Sequence, residues 1–390
     1  MKKALAILMT LALVGSLSFA EVKIGAWGRG LFVPVYNDGD SDATSFNTVS
    51  WGGGNARVGI SIIGSSDNAG FEIDMNMDGG SAGISDQNKI WIKPMDKVTA
   101  SVGVVFDDTL RGNACYGTWN WIRCSTMGED SIFPRINTGN GGFVLSAAPV
   151  EGLYAVASIN NIGKSVLQEN VMKNAQYAAG YTIANIGTIR AQYIAVYDAA
   201  KDLDQSKINA AFKFTGMENL YVDAGIFIPV NKDDFGMYDM MINAFASYKV
   251  SAATLYASGG FATNSGDYDH VDGQLAMDLG FGVDYALAGG VTLSADVRNQ
   301  NSAGSIQYGN GFGYPDPADA TKTLQAPIEN GMTSFFVGVD KGFSNGKIGI
   351  GFQYATTAFN NWKNGGWATE NYKQADNPTY AIPVKLEYWF

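Results

Sequence analysis

Histidine occurs once, cysteine twice, and charged residues make up only 16% of the 390 positions. The single histidine, His270, lies beside Asp267 and Asp269 in a polar stretch, with no nucleophile spaced to use it as a base, so an enzyme is not expected. Cys115 and Cys124 stand in a C-x8-C spacing, too few ligands for a metal site; in an exported chain the expected reading is a disulfide closing a small loop. Neither a metal nor a cofactor is expected. After residue 20 no apolar run approaches the ~20 residues that a spanning helix needs. The formal charge is −11, and it becomes more negative if Lys2 and Lys3 are removed, which argues against a nucleic-acid partner.

Two local patterns also fall short. Asp38-Gly39-Asp40-Ser41-Asp42 has the alternating acids of a calcium loop, but Ala43 stands where the turn needs glycine and Val49 where the loop needs a glutamate. Gly163-Lys164-Ser165 has the end of a phosphate loop without its earlier glycine.

Present in quantity are glycine (48 residues) and aromatic side chains (12%). At the start, Met1-Lys2-Lys3 is basic, residues 4–19 are apolar, and Ser18-Phe19-Ala20 supplies small residues around a cleavage point. Residues 1–20 are therefore expected to be a removed signal peptide, and residues 21–390 a single domain. The rest of the chain alternates. Phe71, Ile73, Met75 and Met77 interleave with Glu72, Asp74, Asn76 and Asp78, and Ile208, Ala210, Phe212 and Phe214 with Lys207, Asn209, Ala211 and Lys213. Successive side chains of a strand face opposite ways, so each such segment has one apolar and one polar face.

Read along the chain, this pattern gives strands over 22–36, 55–63, 71–78, 89–93, 97–107, 142–148, 153–160, 175–184 and 188–198. Nine more follow over 207–215, 220–230, 238–250, 253–263, 271–287, 291–299, 333–343, 347–356 and 380–390. The count is eighteen, with sixteen as the alternative if the weak segments 89–93 and 142–148 fail. Short turn-rich connections, such as Asn185-Ile186-Gly187, Ala288-Gly289-Gly290 and Ser344-Asn345-Gly346, fall after every second strand, and longer polar ones lie between. A two-sheet sandwich would need a dry core, whereas the polar face here is charged and rich in glycine. The expected fold is all-β, a transmembrane antiparallel up-and-down barrel, since backbone groups in hydrocarbon must be satisfied within the structure. Tyr193, Tyr197, Tyr248, Tyr285, Tyr354, Tyr388 and Phe390 fall near the ends of apolar faces, as an interfacial belt requires.

The segment Ala381-Ile382-Pro383-Val384-Lys385-Leu386-Glu387-Tyr388-Trp389-Phe390 places apolar side chains at every second position and stops on phenylalanine. It resembles the closing strand of bacterial outer-membrane β-barrel porins. The resemblance implies an outer-membrane location, with Tyr388 and Phe390 as the assembly signal read by the barrel-assembly machinery. It also implies contact with outer-membrane lipids, homo-trimers, and passive diffusion of small hydrophilic solutes or ions. In such porins the third external loop folds into the barrel. Here that position is taken by residues 108–141, with Arg111, Tyr116, Trp119, Trp121, Arg123, Glu129, Asp130 and Arg135 as the candidate constriction. An exposed cap pinned by Cys115 and Cys124 is the other reading of this loop, and Tyr116, Trp119 and Trp121 are also candidates for an aromatic track.

Candidate lumen-lining residues are Arg29, Arg57, Glu72, Asp74, Lys89, Lys93, Arg190, Asp278, Asp296 and Arg298, with Lys97, Lys213, Lys249, Asp223 and Asp284 on the same faces, most of them expected to be solvated. The competing function is a surface adhesin or structural barrel with a plugged lumen, its binding loops at 300–331 and 358–379.

Overall fold

The computed structural model describes residues 21–37, 47–49, 57–78, 81–111, 115–116, 127–128, 135–160, 171–198, 202–231, 240–263, 276–302, 313–315, 323–325, 327–356 and 378–390. The proposed signal peptide lies outside them. Alternation dominates the described chain, and 18 strands pair in chain order into one antiparallel barrel. They are β1 (Glu21–Asn37), β2 (Arg57–Ser65), β3 (Ala69–Asp78), β4 (Ser81–Met95), β5 (Val98–Val104), β6 (Gly142–Ala147), β7 (Leu153–Asn160), β8 (Ala175–Ile183) and β9 (Gly187–Ile194). Then follow β10 (Lys207–Met217), β11 (Leu220–Pro229), β12 (Met240–Val250), β13 (Ala253–Thr263), β14 (Ala276–Leu287), β15 (Val291–Ser302), β16 (Pro327–Phe343), β17 (Gly346–Ala355) and β18 (Thr379–Trp389). β1 pairs with β2 on one side and with β18 on the other, so the sheet has no free edge. The sixteen-stranded alternative is excluded.

The turns at one end fix the register. Lys97, Asn185, Asn219 and Ser251 have positive φ values of 63°, 61°, 64° and 54°, and Gly289 and Gly290 lie at 75° and 74°. Tight hairpins whose twist matches that of the strands need this left-handed backbone. Proline marks the irregularities, because it has no N–H to give the ladder. Pro34 lies at the register shift between Phe32 and Val35 of the β1–β18 pair, and Pro94 at the shift between Ile92 and Met95 of β4–β5.

One face is apolar and exposed on strand after strand: Ile24, Met75, Ile90, Val102, Ile189, Phe281, Val337 and Leu386 all point away from the barrel axis. A surface of this kind is unstable in water and suited to lipid. Tyr181, Tyr248, Tyr285, Tyr388 and Phe390 are exposed near the short-turn end of that face. Toward the opposite end Tyr177 stacks on Tyr193 at 6.5 Å, and the Phe335 and Tyr354 rings lie 6.4 Å apart. Tyr197 does not belong to this belt. β9 ends at Ile194, and Tyr197 sits in a separate short ladder, Tyr197–Asp198 with Leu203–Asp204, its hydroxyl bonded to Asp202.

The fourth strand also corrects the sequence reading. It runs from Ser81, not Lys89, and Asp78 pairs directly with Ser81, so only residues 79–80 connect β3 to β4 where a long connection was expected. Asp86 and Asn88 put polar residues at the parity of Ile84 and Ile90 there, and a register shift between Ile73 and Met75 absorbs two extra residues of β4.

Candidate pore lining and inward loop

The inner wall carries the charges that alternation assigned to it, but several of them are paired and withdrawn from solvent where solvation was expected. Lys89 meets Glu72, its register partner on β3, at 2.9 Å, and Lys347 meets Glu387, its partner on β18, at 2.9 Å. Lys385 lies 3.4 Å from Asp340. Arg298 donates from Nε and Nη2 to the two oxygens of Asp296 at 2.9 and 3.0 Å; the two residues are two apart on one strand and so share a face. Arg190 pairs with Asp223 across the small Ala211, and neither side chain touches solvent.

Arg29 and Arg57 stand directly opposite one another, a repulsive pairing in isolation. Glu387 is the register partner of Arg29 on its other side, and Asp78 that of Arg57. Arg29 also lies 4.9 Å from the Trp27 ring. Asp74 and Lys213 are half-buried on the inward face, while Lys93 and Lys249 are exposed near the short-turn end. Lys97 belongs to a turn, with its Nζ 3.3 Å from the Pro149 carbonyl. The Asp278 side chain lies outside the described residues.

The two stems of loop 108–141 explain why the wall is dry on one side: they enter the barrel. Leu110 and Ile136 pack with Val105 against Val144, Val156 and Ala178 of β6–β8, forming an apolar patch on the inner wall. The Leu110 carbonyl accepts from Arg190 Nη1 at 2.8 Å. Its side chain covers Gly180, where an added Cβ would come within 2.4 Å of Cδ2. Gly180 and Arg190 are register partners three residues from the ends of β8 and β9, so the stem reaches within about 10 Å of the short-turn end.

The returning stem is held as firmly. The Arg135 N–H donates to Gln192 Oε1 at 3.3 Å and its carbonyl accepts from Gln192 Nε2 at 2.8 Å. The Asn137 carbonyl accepts from Gln176 at 2.7 Å and from Asn160 at 3.3 Å. The stems are tied to each other by the Ile136–Asn137 ladder with Phe106–Asp107 and by Asp108, which Arg135 meets at 2.8 Å and Arg111 at 3.4 Å. The Arg135 guanidinium also lies 4.4 Å over the Phe106 ring, and the Tyr154 hydroxyl bonds Asp107.

Further out, Cys115–Tyr116 pairs with Met127–Gly128 in a short antiparallel ladder, and the backbone of Met127–Gly128 comes within 8 Å of β12, β13 and β14. The loop thus leaves the β7–β9 wall and reaches strands five places further round. Met241, Asn243 and Phe245, inward-facing on β12, are fully buried there. Trp119, Trp121, Arg123, Cys124, Glu129 and Asp130 lie outside the described residues, as do the Tyr116 side chain, His270 and the acidic stretch 38–42. The structure brings Arg111 and Arg135 together. It also adds neutral residues that charge-based reading missed, Gln176, Gln192, Asn160 and Tyr154, whose only signal in the sequence is inward parity.

Arg190→Ala should be among the most destabilising single changes in the wall. It leaves Asp223 buried without its cation and frees the Leu110 carbonyl, a loss of about 3–5 kcal/mol by analogy with other broken buried pairs. Urea or thermal unfolding in detergent measures it; a midpoint equal to wild type would show that the pair is dispensable.

No family model matches the sequence, and neither does any curated protein. Among solved structures, the chain is similar to OccK2 of Pseudomonas aeruginosa, with a TM-score of 0.52 at 9% identity over 95% of this chain and 98% of that one. The anion-selective porin from Comamonas acidovorans gives 0.48 at 10% identity, over 95% of this chain and 100% of the other. A mutant of the Rhodopseudomonas blastica porin gives 0.48 at 14%, with the same coverage. The similarity to OccK2 concerns the fold.

Proposed function

We propose that this chain is an outer-membrane porin that passes small hydrophilic solutes or ions by passive diffusion. The observation that carries the reading is a closed 18-stranded barrel with an apolar exterior and a polar interior into which one loop descends. A ring of this size is wide enough for an aqueous channel, and a loop within it narrows the passage and sets which charges a solute meets. On this reading, Asp108, Arg111 and Arg135 on the stems and the paired charges of the wall are the selectivity elements. The mechanism uses no energy source: geometry limits size, and the local field sorts charge.

Purified protein should run as a compact species on gels without boiling, unfold on boiling, and give a β-type circular dichroism spectrum. Reconstituted in planar bilayers, it should produce discrete, ohmic conductance steps. A heat-modifiable β-barrel that inserts but never conducts would sink the channel reading and leave the fold intact.

A further inference from the structure

We infer that Asp284, Tyr256 and Ser294 form a binding site for a small organic ammonium ion on the inner wall, a specificity element that rests on the porin reading above. The wall carboxylates Glu72, Asp223, Asp296, Asp340 and Glu387 are each matched by a lysine or arginine within salt-bridge distance. Asp284 is different. One of its oxygens accepts from the Tyr256 hydroxyl at 3.1 Å and the other from Ser294 Oγ at 2.6 Å. Among the described residues no lysine or arginine forms an ion pair with it. Two neutral donors orient the carboxylate and leave its charge and further lone pairs unmatched. Asp107 is also held by neutral donors, the Tyr154 hydroxyl and the Thr109 N–H, but it is part of the lock between the loop stems.

The surroundings of Asp284 suit an ammonium ion better than a bare metal ion or an anion. Tyr256 is half-buried and leans on the buried Phe245, ring centroids 6.3 Å apart, and Phe245 in turn lies 6.3 Å from Tyr221. Tyr256 is thereby fixed beside the carboxylate. The next inward position along β14 is Gly282, the register partner of both Tyr256 and Asp296, so the wall carries no side chain between them. An alkylammonium could set its charge on Asp284 and its methylenes against the tyrosine ring, combining a charge-assisted hydrogen bond with a cation–π contact. The nearby Arg298 is bound bidentately to Asp296 and buried, and so offers an anion little. Asp284 lies three residues from the end of β14, about 10 Å from the short-turn mouth, and is half-buried rather than sealed.

The test uses butylammonium chloride as the probe, with potassium chloride at equal ionic strength as the reference, on the full barrel in planar bilayers and by titration calorimetry in detergent. Wild type should bind butylammonium and show a concentration-dependent reduction of potassium current. Asp284→Asn keeps an acceptor for the hydroxyls but removes the charge, and should weaken binding about tenfold; Tyr256→Leu should weaken it about threefold. Glu218→Gln, which removes the same charge from an exposed turn, should leave binding unchanged. Equal weakening by Asp284→Asn and Glu218→Gln would mean a diffuse field rather than a site and would overturn the inference, as would no binding to wild type or no effect of Asp284→Asn. A protein that does not conduct counts against the porin reading alone, because calorimetry still decides the site.

Discussion

Replacing residues 112–134 by a short glycine-serine linker is expected to raise single-channel conductance by a factor of about three, because it removes the segment that crosses an otherwise wide lumen. The design is feasible because Arg111 and Arg135 both meet Asp108, so the cut ends lie close together and a linker of about six residues spans them easily. The barrel should survive the change. The stems keep their own anchors: Leu110 on Arg190, Arg135 on Gln192, and Asn137 on Gln176.

The same stems predict selectivity. Converting Arg111 and Arg135 to glutamine bares Asp108 and should move the reversal potential toward cation preference, most strongly at low salt. Charges in a narrow, water-poor passage escape the screening that acts over about 8–10 Å in solution. Conductance and selectivity both equal to wild type would place the loop outside the conduction path.

The barrel was legible because a period of two survives almost everything else in these strands. Even Lys207-to-Phe214, with two lysines and two alanines among eight positions, keeps Ile208 and Phe212 exposed and Asn209 and Ala211 buried. The alternation failed where polar residues occupied both faces, over the run Ser85-Asp86-Gln87-Asn88, and there the strand start was misplaced by eight residues. The length of external connections was equally opaque around residues 79–80, since a two-residue turn and a longer loop leave the same short polar gap in the pattern.

The candidate site was legible by face but not by partner. Register alone sets Lys213 opposite Asp223, yet Arg190 takes the salt bridge from one strand further away, because Ala211 between them is small enough to let the guanidinium pass over. The inward course of the loop depends on Leu110 finding a glycine at position 180 and on backbone carbonyls finding Gln176 and Gln192, contacts between residues 39 to 80 positions apart that leave no local mark. What the sequence supplied was the ordinal position of the loop and the charges on its stems.

Phe390→Ala is expected to reduce outer-membrane levels about tenfold while leaving the refolded barrel nearly as stable as wild type. The two halves of this expectation come from different atoms. The Phe390 backbone closes the barrel: its N–H donates to the Ala26 carbonyl at 2.9 Å, and its carbonyl accepts from the Ala26 N–H at 3.2 Å. Alanine retains both bonds. The ring is 67% exposed, on the same outward face as Tyr388, so its removal opens no cavity, and surface changes of this kind usually cost within about 0.5 kcal/mol. If the ring is the handle read by the assembly machinery, as the resemblance of the strand implies, its loss acts on insertion and not on the folded state. Quantifying the protein in isolated outer membranes of a double-membraned bacterial host, beside thermal unfolding of the same variant refolded in detergent, separates the two. A parallel fall in level and in stability would make the ring a structural element. Unchanged levels would show that assembly of this chain does not depend on it.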